Sequence, residues 1–200
     1  MQKGSAFMAF EISMEEAQQL VNDLLPGMSM LVRDVNLSTT DAARYIPGMI
    51  IKELGYTDAS WRVMGMVTSH RFAILSNHFR DISAYEHGTN WGLCVALRDA
   101  HYKVLDVYNF EGRTQILLFH LPDDERWKWF KHLRLILGGQ NLEEQCTADC
   151  RKRFEFKSQQ KPIPELSTND WLARCSWPLG KDGFGNIINY GLESDETDGD

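Results

Sequence analysis

The sequence predicts an α+β fold: an antiparallel β-meander of four to five strands at about residues 61–121, with N-terminal and C-terminal helices packed on it. Three observations predict it. The hydrophobic spacing is helical between residues 13 and 25, changes to a period of two from Trp61, and becomes helical again after Leu121. Most connections between the alternating segments are short turns, which suit antiparallel neighbours, whereas parallel pairing calls for long crossovers. With 43% apolar and 11% aromatic residues in a chain of 200, there is enough apolar surface to fill a core.

Each element has its own signal. Ser13-Met14-Glu15-Glu16 is a capping box, Ala17, Leu20, Val21, Leu24 and Leu25 form one stripe, and Pro26-Gly27 ends the helix. Met28 to Val35 reads as a short strand. Ser38-Thr39-Thr40-Asp41 opens a second helical segment through Ile46, Ile50 and Leu54, which Pro47-Gly48 kinks or splits. Residues 61–68 and 71–76 read as a hairpin around Ser69-His70, and a polar connection follows from Asn77 to Asn90. Strands are then expected from Trp91 to Leu97, Tyr102 to Tyr108 and Thr114 to Leu121, the last two joined at Glu111-Gly112. Asp123 is a natural N-cap for a helix to Leu137 whose Trp129, Phe130, Leu133 and Ile136 share a face. Asn141 starts a short helix, Phe154 to Lys157 reads as a strand, and Ser167 to Asp170 caps another short helix. Residues 1–190 are expected to form one α+β domain. The final stretch, 191–200, holds five carboxylates and no base and reads as an acidic, disordered tail.

Composition narrows the function classes. No stretch approaches the roughly 20 apolar residues of a membrane helix, so no membrane partner is expected. The start lacks a signal-peptide core, and four cysteines in 200 residues do not make a disulfide scaffold, so a cytoplasmic protein with reduced thiols is expected. The formal net charge of −7 disfavours nucleic acid as a partner, since such affinity comes from neutralising phosphates. Without the tail the balance is about −2, so that inference is weak for the folded body.

The richest cluster of chemically useful residues is the connection 77–90, with His78, Arg80, Asp81, Tyr85, Glu86 and His87. Connections of about 12–15 residues without structure of their own are uncommon unless functional or disordered. A histidine oriented by Asp81 or Glu86 suits acid–base catalysis, and Tyr85 with Arg80 suits a partner-binding loop. These six are the candidate binding residues. His120, followed by Asp123 and Asp124 at a strand end, is a weaker candidate, because a histidine in an apolar strand is commonly a packed one. Cys146 and Cys150 share a helix face, but a structural zinc site needs two more ligands at suitable spacing, so no metal is expected. Gly180-Lys181-Asp182-Gly183 places its glycines on the wrong side of the lysine for a phosphate loop. No cofactor is expected. The order of elements loosely resembles acyltransferases of the GNAT kind, but Leu121-Pro122-Asp123-Asp124-Glu125-Arg126 stands where their phosphate-cradling glycines belong.

With no catalytic motif in the chain, the sequence favours a non-catalytic protein-binding or regulatory protein of the inhibitor or immunity type, its partner another protein. The alternatives are a small-molecule-binding module, or a hydrolase or transferase using a histidine–carboxylate site in the 77–90 loop.

Overall fold

The computed structural model describes residues 26–131, 136–137 and 140–190, together with Glu15, Gln19, Asn22 and Asp23. At its centre is a mixed sheet of eight strands: β1 (Ser29–Val35), β2 (Ile50–Glu53), β3 (Thr57–Ser60), β4 (His70–Ser76), β5 (Arg80–Asp81), β6 (Leu93–Ala96), β7 (Ala100–Phe110) and β8 (Arg113–His120). Across the sheet they run β2-β7-β8-β4-β1-β3-β6-β5. Two further strands, β9 (Ile136–Leu137) and β10 (Gln140–Asn141), pair with each other. Helices among the described residues include α1 (Thr39–Ala42), the longer α2 (Leu142–Ser158) and α3 (Asn169–Arg174). Among the described residues, no helix is long and apolar enough to cross a membrane.

This arrangement corrects the expected four-to-five-stranded antiparallel meander. β4 lies parallel to β8, with Ile74 opposite Leu118, and β1 sits on the other side of β4. The connection between the parallel strands is not a helix but the whole β5–β7 excursion. The reason is visible in the strands themselves: Phe72-Ala73-Ile74-Leu75 and Ile116-Leu117-Leu118 are continuous apolar runs, and each of these residues is buried. Strands buried on both faces belong in the middle of a sheet, where apolar area is removed from water on both sides. The hairpin at Glu111-Gly112 does form, with both residues at positive φ (51° and 77°), which a two-residue turn matching the strand twist requires.

Other elements differ from expectation for local reasons. Residues 61–68 form no strand; the pairing falls instead on β3, which takes β1 and β6 as neighbours. The second helical segment is reduced to α1, capped by the Ser38 hydroxyl, because Pro47-Gly48 interrupts it and Ile50 and Ile51 then pair with β7. The helix expected from Asp123 to Leu137 is a 3-10 helix over Glu125–Lys131, and Ile136–Leu137 is β9. Phe154 to Lys157, expected as a strand, belongs to α2, which Asn141 caps and the Arg151–Glu155 pair at i,i+4 supports. The helix expected over 13–25 and the tail 191–200 lie outside the described residues, save Glu15, Gln19, Asn22 and Asp23, which are helical.

The two faces of the sheet are differently covered. On one, Leu31, Phe72, Ile74, Tyr102, Ile116 and Leu118 pack under Tyr45, Met49 and Leu179. On the other, Val32, Ala73, Leu75 and Leu117 pack under Phe154 of α2. That second face also holds a buried ion pair, Arg71 Nε to Asp34 Oδ1 at 2.5 Å, with Arg71 Nη1 donating to the Met64 carbonyl at 2.6 Å. After α3 the chain returns along β2: Lys52 N donates to Ile188 O and Tyr190 N to Ile50 O, so the sheet edge is covered.

Candidate functional site

Arg33 stands in the middle of β1, on the face of Leu31 and Val35, where the period-two alternation directs it inward. It is 5% exposed. Its Nη1 donates to the Asp58 carbonyl at 3.0 Å and its Nη2 to the Trp177 carbonyl at 3.3 Å, while the buried Nε has no partner among the described residues. No carboxylate pairs with this guanidinium among them. A buried charge of that kind is costly, and its neighbour on the other face, Arg71, shows the usual remedy of a carboxylate.

A cavity of about 250 Å³ opens at Arg33, lined also by Glu53, Tyr56, Asp58, Arg174, Trp177 and Lys181. The other charges there are already placed. Arg174 Nε pairs with Asp58 Oδ2 at 2.7 Å, and Lys181 Nζ with Asp41 Oδ1 at 3.2 Å. Glu53 accepts from the Gly55 N–H at 2.8 Å and the Gly180 N–H at 2.7 Å, which fixes both of its oxygens. Gly180 reaches Glu53 with φ at +78°, and a Cβ there would sit 3.1 Å from the Cβ of Ile51. At the rim, Tyr56 and Trp177 are 63% and 70% exposed, two aromatic faces open to solvent beside the uncompensated cation. The Tyr45 hydroxyl donates to the Leu179 carbonyl at 2.8 Å and holds this wall of the cavity; burial, with the Asp41 and Glu53 carboxylates adding, raises its pKa well above the ordinary phenol value. The site therefore offers a guanidinium with an unpartnered Nε, a fixed carboxylate and two rings. A guanidinium suits carboxylate or phosphate oxygens, and the rings suit a planar heterocycle.

The six residues singled out in the 77–90 connection do not converge. Arg80 and Asp81 form the exposed edge strand β5, Tyr85 ends a 3-10 turn at 79% exposure, and His87 is exposed. Glu86 has a structural task, accepting from the Trp91 N–H, the Leu93 N–H at 2.7 Å and the Thr89 hydroxyl at 3.0 Å. Only His78 turns inward, its Nδ1 3.7 Å from Asp123 Oδ2 and its ring 5.1 Å from that of His120. Burial and the neighbouring His120 push the His78 pKa down, and the His120 ring holds the Asp123 carboxyl below its usual range. Among the described residues no group of three or more His, Cys, Asp and Glu is placed to hold a metal ion, and all four cysteines are free. Arg33 was missed by sequence reasoning, although an arginine inside Met30-Leu31-Val32-Arg33 is a signal, because a charge in an apolar strand must find an anion or remain unpaired.

No protein-family model matches the chain, and no curated protein matches it. Solved structures do. Exoenzyme S from Pseudomonas aeruginosa, in complex with human 14-3-3 protein beta and bound to carba-NAD, is 14% identical over 56% of this chain and 57% of its own, with a TM-score of 0.42. The ADP-ribosyltransferase HopU1 of Pseudomonas syringae pv. Tomato DC3000 is 14% identical over 47% of this chain and 45% of its own, TM-score 0.41. C3stau2 from S. aureus with NAD is 13% identical over 54% and 70%, TM-score 0.41. The chain thus spans about half the length of the first two. The expectation of a non-catalytic, inhibitor-type binding protein is corrected by these comparisons: the proteins found include a transferase, in line with the alternative reading. At such TM-scores the likeness assigns no activity to this chain.

Proposed function

We propose that this chain is a transferase whose donor is a phosphorylated nucleotide, with a phosphate on Arg33 and the base against Tyr56 and Trp177. The observation that carries this is the buried Arg33 guanidinium, which has no carboxylate partner among the described residues and opens onto a cavity with aromatic rims. An anionic ligand supplies the missing charge, and charge-assisted bonds to phosphate are about twice as strong as neutral ones. Glu53, with both oxygens held, is the carboxylate that would stabilise positive charge developing on the sugar as the transferred group leaves. In this reading the other protein expected from the sequence is the acceptor of the transferred group. Four free thiols support a cytoplasmic setting.

The test is calorimetric titration with NAD, ADP-ribose, AMP and inorganic phosphate, followed by transfer of label from labelled NAD to acceptor proteins. Nucleotides should bind more tightly than phosphate. Arg33→Met should weaken nucleotide binding by about 10- to 100-fold, the scale of one charge-assisted contact pair. Trp177→Ala should weaken NAD, ADP-ribose and AMP but leave phosphate unaffected. Equal binding by Arg33→Met and the parent chain would sink the proposal.

A further inference from the structure

A second cluster lies on the same face of the sheet, at the other end of β1. The parallel register of β4 and β8 brings their C-terminal residues, Ser76 and His120, side by side. Ser76 Oγ is 2.8 Å from His120 Nδ1, and the His78 backbone N–H donates to the same Oγ at 2.9 Å. Oγ accepts from the backbone and keeps its own proton free to donate to Nδ1 in the tautomer where that nitrogen accepts. That tautomer carries its proton on Nε2, which faces Asp123 Oδ1 at 3.6 Å. Asp123 therefore stands behind His120, and His120 behind Ser76. The second oxygen of Asp123 lies 3.7 Å from His78 Nδ1. The distances to Asp123 exceed a direct hydrogen bond, as catalytic contacts commonly do before substrate arrives.

A serine satisfied by a histidine inside a core would need no further explanation. Ser76, however, lines a cavity of about 250 Å³ with Ser29, Asn77, Phe79 and Asp81. The polar lining is rich in acceptors: the Asp81 carboxylate is exposed, and Asn77 Oδ1 is buried with no partner among the described residues. We propose that Ser76 is an activated nucleophile, and that the chain hydrolyses small carboxylic esters whose acyl part carries an ammonium group. Ser76 Oγ bonds to the ester carbonyl carbon while its proton passes to His120 Nδ1. The bond from that carbon to the alkoxy oxygen breaks, and His120 returns the proton to the departing alcohol. Water, deprotonated by His120, then releases the carboxylic acid and restores Ser76. Asp123 orients the ring and stabilises its protonated form. The Asp81 carboxylate and Asn77 Oδ1 select the ammonium group.

The experiment is labelling of the full chain by a fluorophosphonate, which bonds to an activated serine oxygen with loss of fluoride, and peptide mass mapping of the adduct. The adduct is expected on Ser76 and absent in Ser76→Ala. His120→Gln should slow labelling about 100-fold, the lower end of what a general base contributes. Asp123→Asn should slow it about tenfold and, because Asp123 is 55% exposed, should leave the thermal midpoint unchanged, separating a catalytic effect from a folding one. Hydrolysis of alanine 4-nitrophenyl ester should exceed that of the propionate ester by about tenfold, the scale of one charged contact. No adduct on Ser76, or labelling of His120→Gln at the parent rate, overturns the nucleophile. Equal rates on the two esters overturn the ammonium selectivity. None of these readouts involves nucleotide binding, so failure here leaves the Arg33 site standing.

Discussion

Arg33 and Arg71 are buried on opposite faces of neighbouring strands, and they differ in what surrounds the charge. Arg71 is held in a bidentate pair with Asp34 and donates to the Met64 carbonyl and the Ser158 hydroxyl. Asp34→Ala leaves that guanidinium buried and uncompensated, and a loss of about 3–5 kcal/mol is expected in urea unfolding. Arg33→Met removes a charge that has no carboxylate to strand, so stability should stay level or rise even as nucleotide binding weakens; a fall as large as that of Asp34→Ala would contradict the account. His101 supplies a pH dependence. It stacks on Trp127 with centroids 4.2 Å apart, and burial, helped by Lys52, pushes its pKa down to about 4 from 6.5. The folded state thus binds its proton less readily than the unfolded one. The stability it contributes is complete above about pH 6.5 and is lost as pH falls towards 4, with a ceiling of about 3 kcal/mol. His101→Phe keeps a ring on Trp127 without the titration, and its urea midpoint should fall less between pH 7 and pH 4.5 than that of the parent chain.

The segment after α3 shows how an element without regular structure is held. Gly180 donates to Glu53 and accepts from Ile188, and it does so at positive φ against Ile51. Gly180→Ala adds a Cβ in a conformation that L residues avoid and at a distance the Ile51 side chain must yield to. A loss of about 1–2 kcal/mol is expected, together with weaker nucleotide binding because Glu53 loses an anchor. Thermal unfolding and the NAD titration read the two effects. Elements of this kind were poorly legible in the sequence, where glycine and asparagine dominate from Pro178 onward. β1, β4, β7 and β8 were legible, since alternation and apolar runs mark strands whatever their partners. Their order across the sheet was not, because short turns at Asp99 and Glu111 suggest consecutive pairing while the long excursion that makes β4 and β8 parallel leaves no local mark. The double burial of β4 is the available clue, and its apolar run reads equally well as one arm of a hairpin.

Across the molecule, the two candidate sites share the face of β1 but lie four residues apart on it, at Arg33 and at Ser29, which pairs with Ser76. At about 3.3 Å per residue that is roughly 13 Å. The space between them is core rather than channel: Leu31, Ile74, Ala59 and Cys94 are all buried, and burial pushes the Cys94 thiol up to about 12, as an apolar surrounding does. The same geometry explains what sequence reading could reach. His78 and His120 were visible as chemistry-bearing residues, but they are 42 positions apart and only the β4–β8 register makes them neighbours. Sites that far apart with no shared partner behave independently, additive to within about 0.5 kcal/mol. Arg33→Met should therefore weaken NAD binding about 10- to 100-fold while leaving the rate of fluorophosphonate labelling within about twofold of the parent chain. Ser76→Ala should do the reverse, and the double variant should show both losses with no further change. If saturating NAD slows the labelling of Ser76 many-fold, the filled core between the cavities does not insulate them, and a single extended ligand spanning both becomes the better description.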